Sequence, residues 1–361
     1  MDEVLVIVGS GVVADAGLLA QLAEREFGRL GVRGALVHAR DPAHLRSLAG
    51  RYGTVVVLPG PEKEARELIG QPLGPPVVVW ADLDRVEGAA HLNGRGIEGL
   101  SWAIRHAVHR ARHPGVRRIP YGPSPEQWGE LYVPEGRGAV PVVVLIHGGY
   151  WRSIWNADTV EALCAGLTRR GLAVWNLEYR RPDRHGWAAT RHDIATALNT
   201  LPALPGLARD SGLARDSGLG LDLSRVAVAG HSAGAQLALR AAADGARVSL
   251  AVSLAGVLDL VQCERRWISN GAVAAALGDA ADDLHASSPL LRVPLGVPQL
   301  VVQGTDDDPN LIDFGRRHVR AAMEAGDDVT YMELPGDHFA VVSPDTPIGR
   351  AAADAIARAL S

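Results

Sequence analysis

What most constrains this chain is a succession of short, almost uninterrupted apolar runs separated by helix-forming stretches. Four lie in the first 80 residues: VLVIV at 4–8, ALVH at 35–38, TVVVL at 54–58 and VVVW at 77–80. A strand with one face in water alternates apolar and polar residues, so runs without alternation point to strands covered on both faces. Such strands belong to a parallel sheet flanked by helices, and the α/β class follows. Six further runs repeat the pattern: VVVLIH at 142–147, AVWNLE at 173–178, VAVAGH at 226–231, SLAVSL at 249–254, QLVVQG at 299–304 and VTYMEL at 329–334. They describe a second, larger doubly wound sheet.

At 361 residues the chain exceeds one typical core. After a helix expected over 98–112 comes HPGVRRIPYGPSPEQWGELYVPEGRG, dense in proline and glycine, which marks a boundary or an irregular entry strand. A smaller parallel-sheet domain at 1–115 and a catalytic domain at 116–361 are therefore expected. Between two runs of the larger domain, GLARDS occurs twice in tandem at 206–217. So short a repeat builds no core of its own, and it reads as a lengthened surface loop.

Net charge is -5, so no overall basic surface recommends a nucleic-acid partner. The two cysteines, Cys164 and Cys263, have no metal-ligand spacing and read as free thiols in a reducing compartment. MDEVLVIVGSG has the wrong shape for a signal peptide, and no apolar run approaches the roughly 18 residues of a membrane span. A cytoplasmic protein without a membrane partner is expected.

The chemistry centres on VAVAGHSAG, which places Ser232 in Gly-x-Ser-x-Gly between an apolar run and an alanine-rich helical stretch. A turn sharp enough to lift a serine Oγ above a sheet crowds its neighbours, and Gly230 and Gly234 relieve the crowding. Upstream, the run at 142–147 leads into His147, Gly148, Gly149 and Tyr150. Backbone N–H groups there, at Gly149 or Tyr150 with Gly148 as an alternative, can converge with that of Ala233 on an oxyanion. Downstream, the run at 299–304 ends in Asp306, Asp307 and Asp308, any of which could orient an imidazole. The next run ends in LPGDHF, offering His338 as general base. Serine, acid and histidine then occur in the chain order of α/β-hydrolases.

HGGYWR, NLEYRRPDRHGW, GHSAG, VSLAGVLDL, SPLLRVPLGVPQLVVQGTDDD and LPGDHF together resemble the arylformamidase-like (kynurenine formamidase-like) branch of the α/β-hydrolase superfamily, over about residues 120–361. The resemblance implies Asp307 as the acid, with Asp306 and Asp308 as solvent or loop acids, and HGGYW as the oxyanion turn. GELYVP departs from that branch's Asp-rich strand before YVP, which leaves the sheet's first edge open. Trp151, Trp155, Trp187 and Trp267, with Tyr150, fall near strand ends and could wall a pocket for an aromatic group, or simply pack a cap over the core. Arg152, Arg180, Arg181 and Arg184 could clamp a substrate carboxylate, or pair with acids such as Glu178 and Asp183.

In the first domain, Gly9-x-Gly11-x-x-Ala14 follows a strand, as a dinucleotide site requires. The second strand ends without the ribose-binding acid, leaving only an NADP-type reading through Arg40. LPG at 58–60, VVVWADLDRV at 77–86 and NGRGIEGLSWAIRHAVH at 93–109 are similar to the type II dehydroquinase fold, which implies a flavodoxin-like sheet and homo-oligomeric assembly. That family's Asn-Gly-Pro-Asn opening is replaced by VGSGVVADAG, and Asp82 stands where its strand-end histidine falls, with His91 as a possible substitute. A domain without dehydratase activity, serving assembly, docking or pocket shaping, is expected.

The function expected is cleavage of a carboxylic ester or aryl formamide, with no metal or organic cofactor. Two alternatives stand beside it: acyl transfer or cyclisation at the same triad, and a small-metabolite binding module on a hydrolase scaffold.

Overall fold

The computed structural model describes residues 3–86, 92–136, 138–204 and 219–361. The chain divides into two compact units, Met1–Gly115 and Val116–Ser361. His91 and the GLARDS duplication lie outside the described residues.

In the first unit β1 (Glu3–Val8), β2 (Arg33–His38), β3 (Thr54–Leu58) and β4 (Val77–Trp80) form a parallel sheet in the order β2-β1-β3-β4. Among the described residues this is the flavodoxin-like order over its first four strands. Successive side chains of β1 point to opposite faces, Val4, Val6 and Val8 joining Leu19 and Ile104, and Leu5 and Ile7 joining Leu45 and Trp80. Two covered faces explain why the runs are apolar at every position. The helix Ala16–Leu30 opens on the Asp15 side chain, which accepts from the Leu18 N–H at 2.7 Å, and closes on left-handed Gly31.

The glycines after β1 have a packing purpose. A Cβ on Gly9 would lie 2.4 Å from the Pro59 carbonyl oxygen, and one on Gly60 2.6 Å from that of Ser10. The loops after β1 and β3 thus meet backbone to backbone at the switch in strand order, the crevice a pyrophosphate would need. That contact replaces the dinucleotide reading of Gly9-x-Gly11.

The second unit is an eight-stranded sheet. Its strands are β5 (Arg117–Pro120), β6 (Trp128–Tyr132), β7 (Gly138–Ile146), β8 (Ala173–Leu177), β9 (Leu219–His231), β10 (Leu250–Leu254), β11 (Gln299–Gly304) and β12 (Val329–Leu334), in the order β12-β11-β10-β9-β7-β8-β6-β5. The six apolar runs are its parallel strands, while β5 and β6 pair antiparallel at one edge. This edge comes from the proline-rich segment, where Arg117, Arg118, Pro120 and Glu130 give no apolar run but suit an edge strand. β9 starts seven residues before VAVAGH, and its register on β7 shifts between Pro141 and Val142, a bulge that accommodates the polar Asp222–Arg225 stretch.

Val142, Val144 and Ile146 of β7 enter the core on one face, Val143 and Leu145 that on the other. Both cysteines are buried. Among the described residues no helix is long and apolar enough to cross a membrane. The connections leaving the C-terminal ends of β7, β9, β11 and β12 carry the residues singled out for chemistry.

Candidate active site

Ser232 occupies a tight turn between β9 and the helix Ala233–Ala243, with φ 56° and ψ -121°. A non-glycine residue rarely adopts this backbone, and neighbouring contacts hold it here: the Ser232 N–H donates to the Leu254 carbonyl at 2.9 Å, and its carbonyl accepts from Ala235 at 3.0 Å and Val257 at 3.2 Å. A Cβ on Gly230 would lie 2.1 Å from the Gly234 carbonyl oxygen, and one on Gly234 2.1 Å from that of Ile146. Both motif glycines are therefore required by close backbone approach.

The turn after β7 lies directly against this elbow, since a Cβ on Gly148 would come within 2.8 Å of the Ser232 Cβ and 2.7 Å of the His231 carbonyl oxygen. Gly149, Tyr150 and Trp151 have φ of 114°, 47° and 56°, so three successive residues are left-handed. Among the described residues the Gly149 and Tyr150 N–H groups donate to no acceptor, and Ala233, opening its helix, has an N–H without an intrahelical partner. Buried His147 donates from Nδ1 to the Gly148 carbonyl at 2.7 Å, and its own carbonyl accepts from the Tyr179 hydroxyl at 3.0 Å. Trp155 closes the turn from the other side, its Cβ 2.3 Å from where a Gly149 Cβ would stand.

Asp307 and His338 meet across the ends of β11 and β12. The His338 Nδ1–H donates to Asp307 Oδ2 at 3.0 Å, while Gln303 Nε2 donates to the same oxygen at 2.8 Å and the Asp308 N–H to Oδ1 at 2.7 Å. Burial alone would raise the Asp307 carboxyl, but the His338 hydrogen bond and charge and these N–H donors outweigh it and hold the group below its ordinary range. Asp306 accepts from the Gly336 N–H at 3.0 Å, and Asp308 caps the helix Pro309–Glu324 through the Asn310 N–H at 2.8 Å. The His338 loop touches the elbow through His231, whose ring centroid lies 4.7 Å from that of His338. The turn, the elbow and the acid–imidazole pair thus share one edge of the sheet.

The tryptophans divide. Trp151 and Trp187 are each only 2 % exposed and pack edge to face at 5.9 Å. Trp151 Nε1–H donates to Gln236 Oε1 at 3.1 Å, and Trp187 Nε1–H to Asp283 at 2.7 Å. Sealed on both faces, they offer a ligand little surface and act as cap packing, which corrects their expected place in the pocket wall. Trp155 supports the oxyanion turn, whereas Trp267 is 64 % exposed. The arginines weighed as a carboxylate clamp or as partners of nearby acids have partners. Arg180 forms a bidentate pair with Asp193, Arg181 pairs with Glu178, Arg184 Nη1 lies 3.7 Å from Glu126, and Arg152 donates to the Ser269 carbonyl at 2.6 Å.

Gln303 and His231 escaped notice in the sequence, although each is a polar residue at the end of an apolar run. Among the described residues no group of three or more His, Cys, Asp or Glu side chains could hold a metal ion. A cavity of about 540 Å³, lined by Ile194, Leu198, Leu223, Leu237 and Arg247, lies toward the other end of β9 and contains none of Ser232, Asp307 or His338.

With the geometry in place, comparison with known families is informative. A model of the alpha/beta hydrolase fold matches residues 143–343, more than half of the chain. The chain belongs to this α/β-hydrolase family. Within it, a carboxylic ester hydrolase, LipN of Mycobacterium tuberculosis, is 32 % identical over 125 residues, a match that spans 32 % of this chain but only 28 % of that protein. Among solved structures, an inhibited esterase B from Lactobacillus rhamnosis superposes with a TM-score of 0.57 at 20 % identity, over 72 % of this chain and 93 % of that one. The esterase LipW from Mycobacterium marinum gives 0.56 at 22 % identity, over 72 % and 86 %. At such identities these α/β-hydrolase structures support the fold.

Proposed function

We propose that this α/β-hydrolase is a serine hydrolase that cleaves a carboxylic ester or an aryl formamide through an acyl-enzyme. The observation that carries the reading is the strained Ser232 elbow set against the glycine turn of β7, with the hydrogen-bonded Asp307–His338 pair at the same sheet edge. LipN and the structural relatives, named as ester hydrolases or esterases, support the ester side.

With Nδ1–H committed to Asp307, His338 presents Nε2 as the base. Ser232 Oγ attacks the carbonyl carbon as its proton passes to Nε2, and the carbonyl π electrons move to oxygen. The N–H groups of Gly149 or Tyr150 and of Ala233 stabilise that oxyanion, with Gly148 shaping the turn. The C–O or C–N bond then breaks as Nε2–H protonates the leaving group. Water repeats the sequence on the acyl-enzyme and releases the acid, or formate from a formamide. Asp307, held ionised, orients the imidazole and offsets its transient positive charge.

Tyr150, Phe339 and Trp267 favour an aromatic substrate. Tyr150 lies on the oxyanion turn, Phe339 stacks edge-on to His338 at 5.4 Å, and Arg152 ties the turn to the segment carrying Trp267. For the first unit, Asp82 just beyond β4 is engaged by both terminal nitrogens of Arg66 at 3.1 Å, which supports a domain without dehydratase chemistry; its proposed task is assembly, docking or pocket shaping.

A fluorophosphonate probe tests the reading. The native chain labels at Ser232 and Ser232→Ala does not; absence of label on the native chain, or equal label on both, removes the enzyme assignment. Turnover of N-formylkynurenine set against simple p-nitrophenyl esters then chooses between formamide and ester. Labelling without hydrolysis of either favours transfer or cyclisation.

A further inference from the structure

The residue before Ser232 has a second task that the hydrolase reading does not use. His231 is the last residue of β9 and is 2 % exposed. Its ring points away from the nucleophile's helix to the loop after β12, where Nε2 lies 2.9 Å from the backbone carbonyl oxygen of His338. A carbonyl only accepts, so the imidazole carries its proton on Nε2 and donates. The same ring lies 4.7 Å from that of His338 and 5.2 Å from that of Phe339, forming the floor on which the loop rests.

We propose that His231 is a positioning residue for the general base: a neutral imidazole that fixes the His338 backbone from the strand carrying the nucleophile. The proposal rests on the serine-hydrolase reading of the same site. Its logic is one of reference frames. Asp307 fixes the far side of the His338 ring from β11, and Asp306 fixes the loop through Gly336, also from that strand's end. Neither sets the distance between base and nucleophile, because Ser232 follows β9. The His231–His338 hydrogen bond joins the base directly to β9, one residue from Ser232. Sub-ångström placement of this kind governs how well a proton is transferred.

The charge state fits the task. The groups facing His231 are His338, Asp307 and His147. Burial, then the charge on His338, drives the His231 imidazole down to about 3, although the hydrogen bond to the His338 carbonyl and the charge on Asp307 act the other way. A neutral ring donates its one proton without placing a second cation beside the imidazolium that His338 becomes during the reaction.

Three variants test this in the full chain. Gln at 231 carries an amide N–H at about the reach of Nε2, Asn carries the same amide one bond short, and Leu carries none. For ester hydrolysis, His231→Gln is expected to keep kcat within about fivefold. His231→Asn and His231→Leu lose roughly ten- to a hundredfold in kcat with KM unchanged, the scale set by one buried carbonyl left unpaired. Fluorophosphonate labelling of Ser232 slows in the same ratio. The acidic limb of the kcat/KM profile has the same midpoint in the native chain and in His231→Gln, because His231 does not titrate there.

Equal kcat for the Gln and Asn variants overturns the proposal. So does a second ionisation near neutral pH that disappears in His231→Gln, which would mean a charged His231. Should His231→Leu fail to fold, the Gln and Asn pair still decides. If the native chain itself takes no label, it is the hydrolase reading that has failed.

Discussion

Gly148→Ala isolates the fit between the proposed oxyanion turn and the proposed nucleophile. Gly148 is not among the left-handed glycines, so alanine there meets no backbone penalty and the substitution tests space alone. The added methyl would stand 2.8 Å from the Ser232 Cβ and 2.7 Å from the His231 carbonyl oxygen. Comfortable contact between carbons needs about 3.5–4.0 Å, so turn and elbow must separate by roughly 0.7–1.2 Å. Neither neighbour is a flexible chain end that can swing aside. The donors at Gly149 and Tyr150 move with the turn while Ala233 stays with the elbow, so the two halves of the oxyanion site part. Losing one donor from such a site lowers kcat by about 100- to 1000-fold, or roughly 3–4 kcal/mol of transition-state stabilisation. The fold loses about 1–3 kcal/mol to overpacking. Initial rates on p-nitrophenyl acetate give kcat and KM separately, and thermal melting reports the fold. The expected signature is a fall in kcat with KM little changed. A folded Gly148→Ala with kcat within threefold of the native value would refute the placement of the oxyanion donors.

Two further substitutions test other parts of the structure. Trp151→Phe removes the indole N–H that Gln236 accepts and should lower unfolding stability by about 1–3 kcal/mol with KM unchanged; a tenfold rise in KM would return Trp151 to the substrate wall. In the first unit, buried Glu26 takes two hydrogen bonds from Arg105 and one from Arg29. Burial would raise its carboxyl, but these arginines hold it below the ordinary value, so its stabilising contribution is complete above the unfolded pKa of about 4.3 and vanishes as pH falls through the lower folded value. Glu26→Gln should therefore cost about 2–3 kcal/mol at pH 7, less than for a fully buried pair because Arg105 is partly exposed, and the gap to the native chain should close on acidification. A gap that persists at pH 3 in denaturant unfolding would contradict the assignment.

The interior parallel strands were legible because both of their faces are covered, which leaves a continuous apolar signal in the sequence, whereas β2 and β12, at the sheet edges, carry an apolar run while only partly buried. β5 and β6 were only partly so: the proline-rich segment allowed an irregular entry strand, but an edge strand with Arg117, Arg118 and Pro120, paired on one flank, resembles a linker, and β6 breaks its apolar run with the buried Glu130. Ser232 and His338 could be singled out because each follows a recognisable strand at its C-terminal end, whereas only the family resemblance separated Asp307 from Asp306 and Asp308. What sequence could not give was side-chain direction. It could not choose between pocket wall and cap packing for Trp151 and Trp187, could not name Asp193 as the partner of Arg180, and could not tell that the His231 ring reaches the His338 loop. Gly9-x-Gly11 was ambiguous for a related reason, since glycines that admit a phosphate and glycines that admit another backbone look alike in one dimension.

Among the described residues, every non-glycine residue with a left-handed backbone lies in a connection leaving β7, β9 or β10: Tyr150, Trp151, Ser232, Ala255, Trp267, Ser269 and Asn270. Each such residue stores on the order of 1–3 kcal/mol. A search for heat-resistant variants that relaxes unfavourable backbone would be drawn to these loops first, where glycine gains most. The same replacements would free the turns that aim Ser232 and the oxyanion amides. Selection for thermal tolerance and selection for turnover would then act on the same few positions with opposite sign, and lasting gains in stability would have to come from the helices and from the other end of the sheet.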